Sequence, residues 1–308
     1  MPDSNVLGAA AALGSAAAWA VGPFLFKTIS EGLSPLALTL SKGVCSVVLL
    51  GAACLLASQS PLDTRSLAVL AGSGLLGIAL GDTCFFQALR DLSAFSLIML
   101  LMVGQALTVL LAMVFLDEAL TSGRMVGILL VMVGVLTVLF ATSGDEGSTP
   151  TRARGVVFGL LAAICTAVSW VMTKAVLHEG SDTMQATLVR MLAGTLGVFG
   201  FGLVTGSVSG WLTPFRDVRL LARFAAAVAV IAFGGFWLGM VAYKHTSVVV
   251  ASSLTATEPV IALGITVVIL RQRVSLLAVA GTAMTFAGVV MLVPQMAEYL
   301  RENAGALF

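Results

Sequence analysis

Two carboxylates inside apolar segments are the residues of this sequence best suited to chemistry. Glu258 lies near the middle of the apolar run 247–270 and precedes Pro259, and Asp82 lies about two thirds of the way through the run 66–89. Proline removes a backbone donor and disturbs the preceding turn, which frees a carbonyl at a similar depth. An acid in this setting can bind a cationic group or carry a proton. The alternative is a protonated, hydrogen-bonded acid with a structural role only.

Two basic residues and one amide also lie within apolar runs. Lys42 and Arg190 are each eight residues into their runs, which at 1.5 Å per residue is about 12 Å along a helix. Either could meet an anionic substrate group or neutralise one of the acids. The alternative is that both side chains snorkel toward lipid headgroups. Gln105, in the middle of the run 92–115, offers a hydrogen-bonding amide to a ligand.

Three tryptophans, Trp19, Trp170 and Trp237, lie inside apolar runs. Tryptophan is otherwise enriched at the membrane–water interface. Together with neighbouring phenylalanines, these side chains could form the wall of an apolar substrate pocket. Simple packing between helices is the alternative.

The elements that must position these residues follow from the composition. The 308 residues are 59% hydrophobic and 10% charged, whereas a soluble domain is about 45–50% apolar and about 25% charged. This excludes a soluble globular protein and a disordered chain, and a net charge of +1 gives no reason to expect nucleic acid as a partner.

The sequence contains ten long apolar runs. They are 5–26, 34–57, 66–89, 92–115, 122–141, 154–177, 183–205, 220–243, 247–270 and 275–294.

The two halves of the chain repeat one another. The runs are continuous and about 20 residues long, which favours membrane-spanning helices over the roughly ten-residue alternating strands of a barrel. A shift of 154 residues places Gly127 on Gly281 and Gly134 on Gly288, a shift of 151 places Trp19 on Trp170, and a shift of 148 places Lys42 on Arg190. Five spans per half force the halves into opposite orientations. We therefore predict an all-α membrane protein with ten transmembrane helices in two inverted five-helix repeats, residues 1–145 and 154–296.

Neither a metal site nor an enzyme motif is found in the sequence. The four cysteines lie in apolar runs without a CxxC spacing and are interpreted as packing residues. The chain has no nucleotide-binding loop, no HExxH and no GxSxG. We expect no cofactor, and we expect transport energy to come from an ion gradient or from substrate exchange.

Several short motifs occur in the same order as in a known family. They are Trp19-Ala20-Val21-Gly22, Leu116-Asp117-Glu118-Ala119-Leu120 followed by Gly127 and Gly134, Glu258-Pro259-Val260, and Leu270–Val274 followed by Gly281 and Gly288. This set resembles EamA-type carriers of the drug/metabolite transporter superfamily. Two departures are Gln105, where the family usually has a proline, and Gln272, where it usually has a glutamate. The resemblance implies export of amino acids, metabolites or drugs.

The sequence predicts a secondary carrier, an exporter of small organic solutes such as amino acids, with a substrate site near the bilayer midplane. The predicted site comprises Glu258, Asp82, Lys42, Arg190, Gln105, Trp19, Trp170 and Trp237, with Glu258 as a candidate for proton coupling. The alternative is an integral membrane enzyme that uses Asp82 and Glu258 as an acid pair.

The location and partners of the protein are predicted from its charges and apolar runs. Lys and Arg are more frequent in the loops on the side opposite the termini, which places both termini outside the cytoplasm. We expect a multi-pass protein of the inner (plasma) membrane that acts on a small-molecule substrate as a monomer or a homodimer.

Overall fold

The chain folds into long apolar helices joined by short polar segments. The computed structural model describes residues 2–30, 32–55, 62–116, 122–142, 149–176, 182–245, 254–255 and 257–292, and within these residues it contains no strand. The long helices are α1 Pro2–Ile29, α2 Pro35–Leu55, α3 Thr64–Asp91, α4 Ala94–Leu116, α5 Ser122–Ala141, α6 Thr149–Lys174, α7 Thr183–Val204, α8 Val218–Ala242, α9 Glu258–Ile269 and α10 Leu276–Leu292. A short helix, Val208–Leu212, and a 3₁₀ turn, Thr213–Arg216, connect α7 to α8.

The helices confirm the predicted fold class. In the described residues, six helices are long and apolar enough to cross a bilayer, and four shorter apolar helices accompany them. Their order matches the ten apolar runs of the sequence. The predicted repeat boundaries at 145 and 296, residues 117–120 of the repeated motif and most of 247–257 lie outside the described residues.

Three aspartates fix where helices begin. The Asp63 carboxylate accepts a hydrogen bond from the Ser66 amide at the start of α3, and Asp182 and Asp217 do the same at the starts of α7 and α8. Each cap satisfies a backbone donor that the first turn leaves unpaired. The hydrogen bonds from Ser66 hold the pKa of Asp63 below its usual value. These caps set the depth at which residues further along α3 and α7 enter the bundle.

The two halves pack against each other in a symmetric pattern. Helix α2 packs on its repeat counterpart α7, and α5 packs on its counterpart α10. Helix α1 packs on α8, and the equivalent pair α6 and α3 packs in the same way. Among the described residues, these contacts therefore have partners in the other repeat, as expected for two inverted copies of one five-helix unit.

The α5–α10 contact depends on glycine. A Cβ at Gly134 would lie 2.6 Å from the Gly281 carbonyl oxygen, and a Cβ at Gly288 would lie 2.7 Å from the Gly127 carbonyl oxygen. The backbones of the two helices therefore touch directly, as small residues allow in membrane helix pairs. These are the same four glycines that the repeat register aligned.

Large apolar side chains cover the outside of the bundle. Val48, Phe140, Val204 and Leu276 are all more than 60% exposed. Apolar exposure on this scale is unusual for a protein in water and is what a lipid-facing surface requires. Serine and threonine hydroxyls, in contrast, are concentrated inside the bundle.

Helices α3 and α8 each contain a π-helical segment at the equivalent place. The segments are Leu75–Asp82 in α3 and Val230–Trp237 in α8. π-Helical turns are rare and often occur at functional sites. Two residues of the predicted site, Asp82 and Trp237, end these segments.

Candidate functional site

Lys42 of α2 and Asp82 of α3 form an ion pair inside the bundle. The Lys42 Nζ lies 2.5 Å from Asp82 Oδ2, and the two side chains are 4% and 13% exposed. A buried pair of this kind attracts strongly, and removing one partner typically costs about 3–5 kcal/mol. The Lys42 side chain does not reach the protein surface, contrary to the snorkelling alternative.

Aromatic side chains surround this pair. The Lys42 ammonium lies 5.0 Å from the centroid of the Phe236 ring, which in turn meets Trp19 edge-on at a centroid distance of 4.8 Å. A ring face attracts a desolvated cation. The Phe236 ring thus stabilises the charge on Lys42 in addition to Asp82.

A small cavity opens beside the ion pair. It is lined by Trp19, Gly22, Pro23, Phe26, Lys42, Asp82, Phe85 and Ile231. Its volume is about 20 Å³, room for about one water molecule. The lining combines both charge signs with apolar and aromatic walls contributed by α1, α2, α3 and α8. An organic solute can enter only if the helices around it move.

Arg190 of α7 is the second buried cation. It is 2% exposed, and its guanidinium lies 5.0 Å from the centroid of the Trp170 ring of α6. Its Nη2 donates to Ser169 Oγ at 2.8 Å, and Ser169 donates in turn to the Ser73 carbonyl at 2.8 Å. Arg190 and Asp82 are close enough to attract each other. The side chain is therefore held by α6 and α3 and is not directed to the protein surface.

Glycines in α3 and α7 make this arrangement possible. A Cβ at Gly74 would clash with the backbone of Arg190, and a Cβ at Gly194 would lie 2.7 Å from the Gly74 carbonyl oxygen. A Cβ at Gly77 would clash with the Ser169 side chain. The close approach that glycines permit brings α7 and α6 against the helix that carries Asp82.

Glu258 occupies a separate position. It is 8% exposed and lies in the first turn of α9, after a turn at Thr257 and before Pro259. Proline suits the first turn of a helix because the amide it lacks has no partner there. Among the described residues, no ion pair or hydrogen bond joins Glu258 to Asp82 or to a basic side chain. The two acids are therefore not directly hydrogen-bonded to each other in this structure.

The remaining predicted residues lie elsewhere in the same helices. Gln105 is half-buried, and α4 runs through it without a break. In the second repeat a helix begins at Glu258, next to Pro259, whereas the first repeat has an unbroken helix through the equivalent Gln105, which retains its amide donor. Trp237 packs edge-on against Phe233, with ring centroids 6.4 Å apart.

Two important positions were not identified from the sequence. Ser169 and Ser73 form the hydrogen-bonded chain behind Arg190. Serine is common in apolar helices, so residue type alone does not distinguish these two. Phe236 is one of the phenylalanines that the sequence offers as a pocket wall, and the structure adds its contact with the Lys42 ammonium.

A second polar cluster closes one end of the bundle. Arg154 of α6 donates two hydrogen bonds to Asp91 at the end of α3, at 2.8 and 2.7 Å, and Gln87 donates to the same carboxylate at 2.9 Å. Lys27 at the end of α1 donates to the Leu92 carbonyl at 2.8 Å. The ends of α1, α3 and α6 are thus tied together on the side of the bundle opposite the start of α1.

Two repeats of five helices around a buried, charged site define a membrane transporter architecture of the inverted-repeat type. The chain belongs to the EamA-like transporter family, whose model matches residues 6–140 and 153–293. This confirms the resemblance drawn from the sequence motifs and makes the protein a membrane transporter of small solutes. No curated protein matches the chain.

A solved structure has a similar fold. It is described only as a crystal structure of a protein and superimposes with a TM-score of 0.65 at 19% sequence identity, covering 94% of this chain and 98% of that chain. At this identity the likeness concerns the fold alone.

Proposed function

We propose that the protein is a secondary carrier that exports small organic solutes carrying both a charged group and an apolar part, such as amino acids. The observation that carries the proposal is the buried Lys42–Asp82 pair on the wall of an aromatic-lined cavity. Buried charges are expensive, and inside membrane proteins they typically mark substrate or ion pathways. A zwitterionic solute would find both charge signs and an apolar wall at this one place.

Transport then requires the two repeats to move relative to each other. The cavity holds about one water molecule, so it must widen to admit a solute and close again before release. The Arg154–Asp91 and Lys27–Leu92 contacts close one end of this path. Opening them while the opposite end closes would expose the site alternately to the two sides.

Glu258 is the proposed site of proton coupling. It is buried, it begins α9 within the membrane region, and no basic side chain among the described residues pairs with it. A carboxylate in this position can take up and release a proton as the solute moves. We further propose an inner-membrane location with both termini outside the cytoplasm, and function as a monomer or a homodimer.

Uptake into proteoliposomes tests the proposal. Purified protein is reconstituted and loaded with unlabelled L-amino acids, and counterflow of each labelled amino acid is followed. We expect accumulation of at least one apolar amino acid above the level of empty liposomes, and loss of it in Asp82→Asn. Arg223→Gln, which removes an exposed charge that does not line the cavity, serves as the control. No counterflow of any amino acid would contradict the proposed substrate class.

The membrane-enzyme alternative is not supported by a specific observation. Asp82 is paired with Lys42 and is not joined to Glu258 among the described residues.

A further inference from the structure

The two repeats are unequal at their buried cations. Lys42 and Arg190 are equivalent residues in the repeat register, and each lies over an aromatic ring at 5.0 Å. Lys42 is neutralised by Asp82. A shift of 154 residues places Asp82 on Phe236. The second repeat therefore offers Arg190 no acidic residue at the position equivalent to Asp82.

Arg190 consequently retains unused hydrogen-bond donors. Among the described residues, no group accepts a hydrogen bond from its Nε or Nη1, although both atoms are fully buried. Nε carries one N–H and Nη1 carries two. A buried, charged donor without a partner is unfavourable, and its retention calls for an acceptor that binds there.

We infer that Arg190 is the binding site for the carboxylate of the transported solute, with Ser169 and Trp170 holding the guanidinium in place. This inference rests on the proposed function and deepens it, because it assigns the anionic end of the solute to one residue. The planar guanidinium fork matches a carboxylate, and arginine remains charged in a desolvated site where lysine readily loses its proton.

The charge balance favours a single carboxylate over a doubly charged anionic group. Lys42 and Asp82 cancel, so the group formed with Arg190 carries one net positive charge. One carboxylate neutralises it, whereas a doubly charged phosphate would leave an uncompensated negative charge in a low-dielectric site. An ammonium group on the same solute would share Asp82 with Lys42, because Asp82 lies within electrostatic range of Arg190.

Three related probes separate the two ends of such a solute. 3-Phenylpropionate carries the carboxylate, its methyl ester is neutral, and phenethylamine carries only the ammonium group. Binding to the full chain in lipid nanodiscs is followed by titration calorimetry and by the fluorescence of Trp170, assigned with Trp170→Phe. We expect the wild-type protein to bind 3-phenylpropionate at least tenfold more tightly than the ester.

Substitutions at Arg190 then test the assignment. Arg190→Gln should reduce the affinity for 3-phenylpropionate to that for the ester and leave phenethylamine unaffected. Arg190→Lys, which retains a charge, should give an intermediate affinity, and Arg223→Gln should behave as the wild type. If Arg190→Gln does not fold, the wild-type protein still tests the inference, because equal affinity for the acid and the ester would overturn it.

Equal affinity of the wild-type protein for acid and ester, or unchanged acid binding by Arg190→Gln, would overturn the inference. Proteoliposome flux of the same probes separates this result from failure of the proposed function. Flux of phenethylamine alone would support the carrier function and contradict the carboxylate site at Arg190. Arg190-dependent binding without flux of any probe would support the carboxylate site and contradict the carrier function.

Discussion

The ammonium of Lys42 and the carboxylate of Asp82 are 2.5 Å apart, in a bundle that exposes many large apolar side chains on its outside. They belong to different helices of the same repeat, and Phe236 of the other repeat covers the lysine. The pair therefore links the charged centre of one half of the protein to the aromatic wall of the other.

Removing one member of this pair should destabilise the protein more than removing both. Lys42→Met or Asp82→Asn leaves one unpaired buried charge, and we expect each to lower the free energy of unfolding by about 3–5 kcal/mol. The double variant removes both charges and should recover most of that loss. Thermal unfolding in detergent measures the three variants, and equal, additive losses would show that the pair does not form.

Substitution of Gly134 should disrupt the α5–α10 contact. Gly134→Ala places a methyl group 2.6 Å from the Gly281 carbonyl oxygen, and such overpacking costs about 1–3 kcal/mol. Gly200→Ala is the matched control, because a Cβ there meets nothing within 4 Å. The control should be neutral or slightly stabilising, since alanine favours a helix over glycine. Equal unfolding temperatures for the two variants would contradict direct contact between the backbones.

The Asp91–Arg154 pair should contribute less than the Lys42–Asp82 pair. Arg154 is 52% exposed, although the carboxylate it binds is nearly buried. Solvent screens such a pair, and we expect a coupling energy of about 1 kcal/mol in a cycle of Asp91→Asn, Arg154→Gln and their combination. A coupling as large as that of the central pair would indicate that this end of the bundle is as dry as its centre.

Glu258→Gln should separate solute exchange from proton coupling. The amide cannot release a proton, so uptake driven by a pH gradient should fall to the level without a gradient. Counterflow at equal pH on both sides should persist, because it needs no net proton movement. Glu31→Gln, in the polar segment between α1 and α2, controls for loss of an acidic residue. Full gradient-driven uptake by Glu258→Gln would remove Glu258 from the proton path.

The fold was predictable because its signals extend over long stretches. Apolar runs of about 20 residues give helix number and order directly, and the register that aligns Gly127 with Gly281 and Gly134 with Gly288 marks the helices that touch. The lipid environment contributes to this predictability. Each spanning helix must hydrogen-bond its own backbone groups, so irregular segments exposed to lipid are excluded.

The pairing within the site was not predictable for a physical reason. The sequence allowed Lys42 to meet an anionic group of the substrate, to pair with Asp82 or Glu258, or to snorkel. The choice depends on how α2 and α3 are rotated about their own axes, which the glycines along α3 influence by setting the approach of α6 and α7. Hydrophobic periodicity is weak in helices that are apolar on most sides, so it does not fix that rotation.

The inverted arrangement of the two repeats is the claim on which the transport account depends. It is tested most directly by placing single cysteines at Thr28 and Ala175, near the ends of the equivalent helices α1 and α6, in a variant whose four native cysteines are replaced by alanine. A membrane-impermeant maleimide added to sealed, uniformly oriented vesicles should label one position and not the other. Labelling of both positions from the same side would contradict the inverted repeat and the alternating-access account with it.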